Sequence, residues 1–313
     1  MIGKKIANKI IEIHGSKDFE IAFLPYKRSM WNSMSSVYYE LKDLGVKVHC
    51  MPIPYLRLKA NKEVDYIDTD FSLFGDIAKP IEMLDKPDYI AIHYQYENNN
   101  KVTGMLPEYF TKALKYRYGA KIIYLPYGIG MGLGHFALQP GCRDIDYAFL
   151  ESEDMAERFI AGWKLKGVDF EGRVFGYGSA KMDAVVGLKR EIPDEWKPII
   201  RDRRVLLITT SLGAFLTNPR ERMMYYMQNV GGNLKQNAII FRPHPLMRQT
   251  IKSMVNYCLY DYERMLNDFR SAGVIVDESE YLERAIAASD YLISDPSSVV
   301  EMWKVTGKPY TII

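Results

Sequence analysis

The sequence is poor in the residues that would make it a disulfide scaffold, a metalloprotein or a membrane span. Among 313 residues there are three cysteines, Cys50, Cys142 and Cys258. They are odd in number, and no two have the spacing of a metal knuckle or a redox pair, which points to a reducing, cytoplasmic compartment. The five histidines, His14, His49, His93, His135 and His244, form no H-x-x-x-H pair and have no carboxylate at ligand spacing, so no metal is expected. An excess of one charge is missing too: 41 Lys and Arg against 39 Asp and Glu leave a formal charge of +2. That balance argues against a broad nucleic-acid-binding face and leaves room only for a local phosphate site. The longest apolar run, Val205 to Leu216, is broken by Thr209, Thr210, Ser211 and Gly213, and it falls short of the roughly 20 residues that cross a bilayer. No small-residue cleavage site follows the N-terminal MIGKKIANKIIEIHG. Its isoleucines at helical spacing predict an amphipathic helix lying on the body. The sharper alternative is a peripheral foot on the inner face of the cell membrane, with Lys4, Lys5 and Lys9 meeting anionic headgroups.

What the chain does have is core material and tyrosine. Hydrophobic residues make up 48% and charged residues 26%, enough for sizeable cores in two domains. The 23 tyrosines suggest a wet cleft or partner surface, because tyrosine offers an apolar body with a polar tip. From Phe19 onward short β-rich runs alternate with segments of helical period, the pattern of doubly wound α/β domains. Strands are expected near 20–24, 46–51, 88–92, 120–125, 146–150 and 173–176. After a Pro-containing stretch, 189–204, read as a linker, a second set follows: strands 205–210, 238–242, 273–276, 290–293 and 309–313, with helices 219–230, 247–269, 280–288 and 297–306 between them. The reading is an α/β fold with two Rossmann-like domains, 1–188 and 205–313, facing across a cleft. The chain ends at Ile313 straight after an apolar strand, which suggests a trimmed or loosely packed C-terminal edge.

In open α/β sheets ligands bind beyond the carboxyl ends of the strands. Four such places stand out. FRPHPLM (Phe241 to Met247) fixes Arg242 and His244 between prolines ahead of a helix, a plausible phosphate grip or else a capping turn with an exposed histidine. SDPSSVVEMW (Ser294 to Trp303) places Ser297 and Ser298 at a helix start, where hydroxyls and free amides suit a pyrophosphate; a plain N-cap is the blander reading. Thr209 to Gly213, including Ser211, is a small polar turn. In the first half, Lys27 and Arg28 lead into a helix. His93 ends a strand beside Tyr94, Tyr96 and Asn98 and is a candidate general base, unless it is a hydrogen-bonded structural histidine. GIGMGLG (Gly128 to Gly134) fails the dinucleotide fingerprint and reads as a flexible acceptor-side loop. His135 follows it as a fallback base.

Together these segments resemble the bacterial CDP-glycerol glycerophosphotransferase family. The likeness runs through YKRSMWNSMSSV (Tyr26 to Val37), MPIPYLR (Met51 to Arg57), IHYQYENNNKVT, YLPYGI (Tyr124 to Ile129), GYGSAKMDAVV (Gly176 to Val186), FRPHPL and SDPSSVVEMWKVTGKP (Ser294 to Pro309). It implies a GT-B fold and transfer of a glycerol phosphate or related polyol phosphate from a CDP-activated donor to a hydroxyl of a lipid-linked or polymeric cell-surface precursor, such as teichoic acid or capsule, with CMP leaving. No other cofactor is implied. By the same resemblance Arg242, His244, Ser297 and Ser298 hold the pyrophosphate, Asp295 shapes their turn, and Lys27, Arg28, Tyr127 and His135 lie on the acceptor side. Two positions depart from the family. Pro126-Tyr127-Gly128 stands where a His-Gly pair supplies the base, and Pro296 replaces an aromatic residue. The rival readings are a nucleotide-sugar glycosyltransferase on the same fold and a non-catalytic donor-binding scaffold of polymer assembly.

Overall fold

The computed structural model describes residues 1–58, 63–97, 103–130 and 138–313. The chain divides into two compact units, Met1–Leu58 with Val64–Ala184, and Val185–Ile313.

In chain order the strands of the first unit are β1 (Glu20–Phe23), β2 (Lys47–Cys50), β3 (Tyr55–Leu58), β4 (Val64–Ile67), β5 (Tyr89–Ile92), β6 (Thr103–Gly104), β7 (Lys121–Tyr124), β8 (Tyr147–Phe149) and β9 (Val174–Phe175). Six of them form one parallel sheet in the order β2-β1-β5-β7-β8-β9. Central β5 reads YIAI and is buried throughout, as expected of a parallel strand covered on both faces. Side chains alternate between faces: Ile21 and Phe23 join the N-terminal helix, while Ala22 and Leu24 join the layer that contains Leu114 and Phe159. A small antiparallel sheet, β4-β3-β6, stands apart and was not expected from the sequence. Its strands are short and largely half-exposed, so they carry no continuous apolar run to betray them.

The N-terminal helix, Ile2–His14, lies on the body as its spacing predicted, with Ile6, Ala7 and Ile10 fully buried. Gly3 allows the close approach: a Cβ there would sit 2.4–2.7 Å from Ser36. Asp183 caps the helix by accepting from the amides of Ile2 and Gly3 at 2.9 and 2.6 Å. The apolar face that a membrane foot would use is therefore committed to the core. Lys4 and Lys5 are exposed, and Lys9 pairs with Glu12 at 2.6 Å.

The second unit is a five-stranded parallel sheet of β10 (Arg204–Thr209), β11 (Asn237–Arg242), β12 (Ile275–Val276), β13 (Tyr291–Ser294) and β14 (Tyr310–Ile312), in the order β12-β11-β10-β13-β14. The stretch read as a linker carries a turn, Asp194–Trp196, and a short helix, Lys197–Ile200, with Trp196 and Ile200 buried in this unit. Arg284 lies 5.3 Å from the Trp196 ring and pairs with Glu195. The single helix expected over 247–269 is two, Met247–Met254 and Leu259–Ser271, broken at Val255, whose φ is −139° and ψ 46°. β14 is an exposed strand. Among the described residues no helix is long and apolar enough to cross a membrane.

Candidate functional site

In the second unit β10 sits at the centre. The chain builds outward through β11 and β12 and then crosses to the other side for β13 and β14. The strand order reverses between β10 and β13, and an open α/β sheet forms its ligand crevice at such a switch point. The ladder aligns Thr209 with both Arg242 and Ser294, so the three polar turns found in the sequence leave the sheet side by side.

A buried polar frame holds these turns. Asp295 is fully buried; its Oδ2 accepts from the Ser211 amide and from the Tyr226 hydroxyl, each at 2.8 Å, and its Oδ1 is 3.3 Å from Arg222 Nη1. The carboxylate thus fastens the turn after β13 to the turn after β10, with charge-assisted bonds that make the position intolerant of change. Burial first, then the neighbouring carboxylate, pushes the Tyr226 phenol upward, so it stays a hydrogen-bond donor. Thr209 Oγ1 donates to Ser294 Oγ at 2.7 Å. Thr210 Oγ1 accepts from the His244 amide at 3.2 Å, joining the turn after β11 to the same frame.

Around this frame stand the half-buried Ser211, His244, Ser297 and Ser298. Ser211 caps the helix Leu212–Thr217 by accepting from the Ala214 amide at 3.2 Å. Ser297 occupies the N-cap position of the helix Ser298–Lys304 without a side-chain cap bond, its Oγ 3.5 Å from Ser294 Oγ. His244 Nδ1 accepts from the Leu246 amide at 3.1 Å. In the neutral ring the proton is therefore on Nε2, and the imidazole offers an N–H donor on its other side.

Arg242 corrects the sequence reading. It is only 5% exposed, and its guanidinium pairs with the buried Asp277 and donates to the Ser279 carbonyl at 2.7 Å. It ties the end of β11 to the turn after β12 and is not an open phosphate grip. Lys308 of the G-K-P motif is structural as well: Nζ donates to the carbonyls of Ile286 and Ser289 at 2.9 and 2.8 Å, closing the helix Leu282–Ala288. Tyr226, Arg222 and Asp277 carried no motif. Asp277 alone could have been found, since it follows a predicted strand directly.

In the first unit the sheet order reverses between β1 and β5, and the motif residues gather there. Tyr26 stacks on His93 with ring centres 4.9 Å apart; Tyr127 meets the same imidazole edge-on at 6.0 Å, and Tyr55 and Tyr94 lie 5.1 and 5.4 Å from Tyr26. Lys27 sits 5.2 Å from the Tyr55 ring, and Arg28 donates to Asn32 Oδ1 at 3.1 Å. Tyr127 and Tyr96 share a hydrogen bond, and burial pushes the Tyr127 phenol well up. His135 and Asn98 lie outside the described residues.

The expectation of an exposed base at His93 is not met. The ring has no exposed surface, its Nε2 accepts from the Tyr26 amide at 3.4 Å, and with Glu97 and Thr111 it lines a small cavity. Burial pushes its pKa down from 6.5 to about 3. The unfolded chain then binds a proton below its ordinary pKa that the folded chain refuses until far lower pH. Stability should therefore be unaffected by this group above about pH 6.5 and fall by about 1.4 kcal/mol per pH unit between there and 3. Urea unfolding of the wild type and His93→Gln at pH 7 and pH 5 checks this: the wild type should lose distinctly more stability, and equal losses would place the ring in contact with water.

No protein-family model matches the chain. No curated protein matches it either. Among solved structures, S. aureus MnaA with UDP is 12% identical over 94% of this chain and 78% of that one, with a TM-score of 0.58. The Methanocaldococcus jannaschii UDP-GlcNAc 2-epimerase in complex with UDP-GlcNAc and UDP is 13% identical over 94% and 83%, at 0.54. The wall teichoic acid polymerase TagF, as a variant soaked with CDPG, is 13% identical over 99% and 77%, at 0.50. The fold is GT-B. At these identities the likeness carries the fold and nothing finer.

Proposed function

We propose that the protein is a GT-B transferase that moves a glycerol phosphate, or a related polyol phosphate, from a CDP-activated donor to a hydroxyl of a cell-surface polymer precursor, releasing CMP. One observation carries the reading. The two most specific motifs, R-P-H-P and D-P-S-S, leave the strands that flank β10 and meet around the switch point, with His244 held as an Nε2–H donor. Transfer at phosphorus is mostly positioning and charge neutralisation. His244, the hydroxyls of Ser211, Ser297 and Ser298 and the neighbouring turn amides are the donors assigned to the diphosphate. Asp295 and Arg242 act on them only by holding their turns.

A second reading is an enzyme acting on a UDP-sugar, the ligand class of two of the structures that share the fold. Calorimetric titration with CDP-glycerol and with UDP-N-acetylglucosamine separates the two: tighter CDP-glycerol binding, and CMP release in the presence of a lipid-linked glycerol phosphate acceptor, are expected, and tighter UDP-sugar binding without CMP release would favour the rival. Turnover is expected to persist in chelator, because no Asp, Glu or His cluster of ligand spacing was found in the sequence and protein donors are assigned to the leaving phosphate. Loss of CMP release in chelator, recovered with magnesium, would refute that.

A further inference from the structure

The first unit has a second cavity, at the carboxyl ends of β7 and β8. Ile6, Phe149 and Met155 are among its apolar walls, and Ser33, Ser179 and Glu151 bring the polar groups. Among the described residues no lysine, arginine or histidine lines it. The sequence builds it from segments to which the donor site gives no role. In GYGSAKMDAVV, Gly176 lets its turn press on the start of the earlier helix Glu153–Lys164, since a Cβ there would lie 2.2–2.5 Å from the backbone of Ser152 and Glu153. Gly178, with φ +100°, then turns the chain in a way L side chains rarely allow. These two glycines carry Ser179 to the cavity.

Two observations define what the cavity takes. Ser179 is 9% exposed, and its Oγ is buried with no hydrogen-bond partner among the described residues. Burying a hydroxyl without a partner is costly, so the group calls for a ligand atom. Glu151 accepts the Gly130 amide at 2.8 Å through Oε2 and has a second carboxylate oxygen to offer. The serine can donate or accept, whereas the carboxylate accepts hydrogen and repels an anion, so the pair suits a hydroxyl better than a phosphate. The cavity measures about 20 Å³, on a scale where one water needs about 10–15 Å³. That is room for a group of hydroxymethyl size between apolar walls.

We infer that this cavity binds the primary hydroxyl arm of a polyol or sugar, with Glu151 and Ser179 as its hydrogen-bond partners.

The test is one of binding. The full chain, labelled at isoleucine and methionine methyl groups, is titrated with glycerol by NMR. Saturable shifts are expected at Ile6 and Met155, weakened about fivefold in Ser179→Ala, the loss of one ordinary hydrogen bond. Ser179→Ala removes only one oxygen, and an unchanged methyl spectrum shows that it folds. Absence of saturable shifts, equal affinity in the variant, or tighter binding of ethanolamine than of glycerol would overturn the hydroxyl assignment. If CDP-glycerol is turned over but glycerol gives no saturable shifts, the cavity assignment fails and the transfer reading stands. If glycerol binds here but CDP-glycerol does not bind the protein, the transfer reading fails and the cavity stands.

Discussion

Replacing His244 with alanine is expected to weaken CDP-glycerol binding or turnover by about tenfold or more. A hydrogen bond to a charged group contributes about 1.5–3 kcal/mol, and about 1.4 kcal/mol is tenfold in affinity. Alanine also removes the acceptor for the Leu246 amide, so the effect could come from a loosened turn. His244→Asn separates the two, because its amide oxygen can sit where Nδ1 does while no group reaches the Nε2 position. Calorimetry should find donor affinity reduced in both variants, with the thermal stability of the asparagine variant near wild type. Wild-type affinity and rate in His244→Ala would remove the histidine from the donor site.

Arg242→Ala should act in a different way, as a loss of folding stability. The guanidinium and the Asp277 carboxylate are both nearly fully buried, with side-chain exposures of 5% and 3%. Removing one partner of such a pair leaves an uncompensated charge in the interior, at a cost of about 3–5 kcal/mol. Replacing both with apolar groups of similar size, Arg242→Met with Asp277→Leu, should recover much of that loss, since buried pairs are often no more stable than their hydrophobic equivalents. Denaturant midpoints for the three proteins decide the matter. A folded Arg242→Ala with unchanged midpoint and abolished donor binding would restore the arginine to the phosphate site.

The contrast between these neighbours shows what the sequence could and could not tell. The architecture was legible because buried parallel strands such as YIAI and VLLIT are continuous apolar runs, and because glycine or proline separates most of them from the helices. His244 and Ser297 were legible as candidates because the residue after a strand of this kind is a binding position whatever its neighbours do. Arg242 was misread on the same logic: its position was right, but its partner, Asp277, comes from a turn 35 residues further on, and no local spacing reveals a long-range ion pair. His93 failed for a related reason. Tyr26 and Tyr127 come from two other strand ends and close over the ring, and burial of that kind is a property of the packed sheet. The antiparallel strands β3, β4 and β6 were missed because β3 and β4 are largely half-exposed and form no continuous apolar run, while β6 is two residues long and polar. Ser179 and Glu151 lay in or beside quoted segments, yet only the turn at Gly176 shows why they belong to one cavity.

The cap on the N-terminal helix also constrains how the chain can fold. The amides of Ile2 and Gly3 find their partner in Asp183, about as far along the chain as the unit extends, 181 and 180 positions away. Contacts of such sequence separation form late and slow folding, because the intervening chain must be brought to order before they are made. During synthesis Ile6 and Ile10 can already pack on the helix Ser35–Asp43 and on β1, while the cap waits until the last segment of the unit emerges. For that interval the first amides of the helix lack their acceptor, and the unit is held by its local contacts alone.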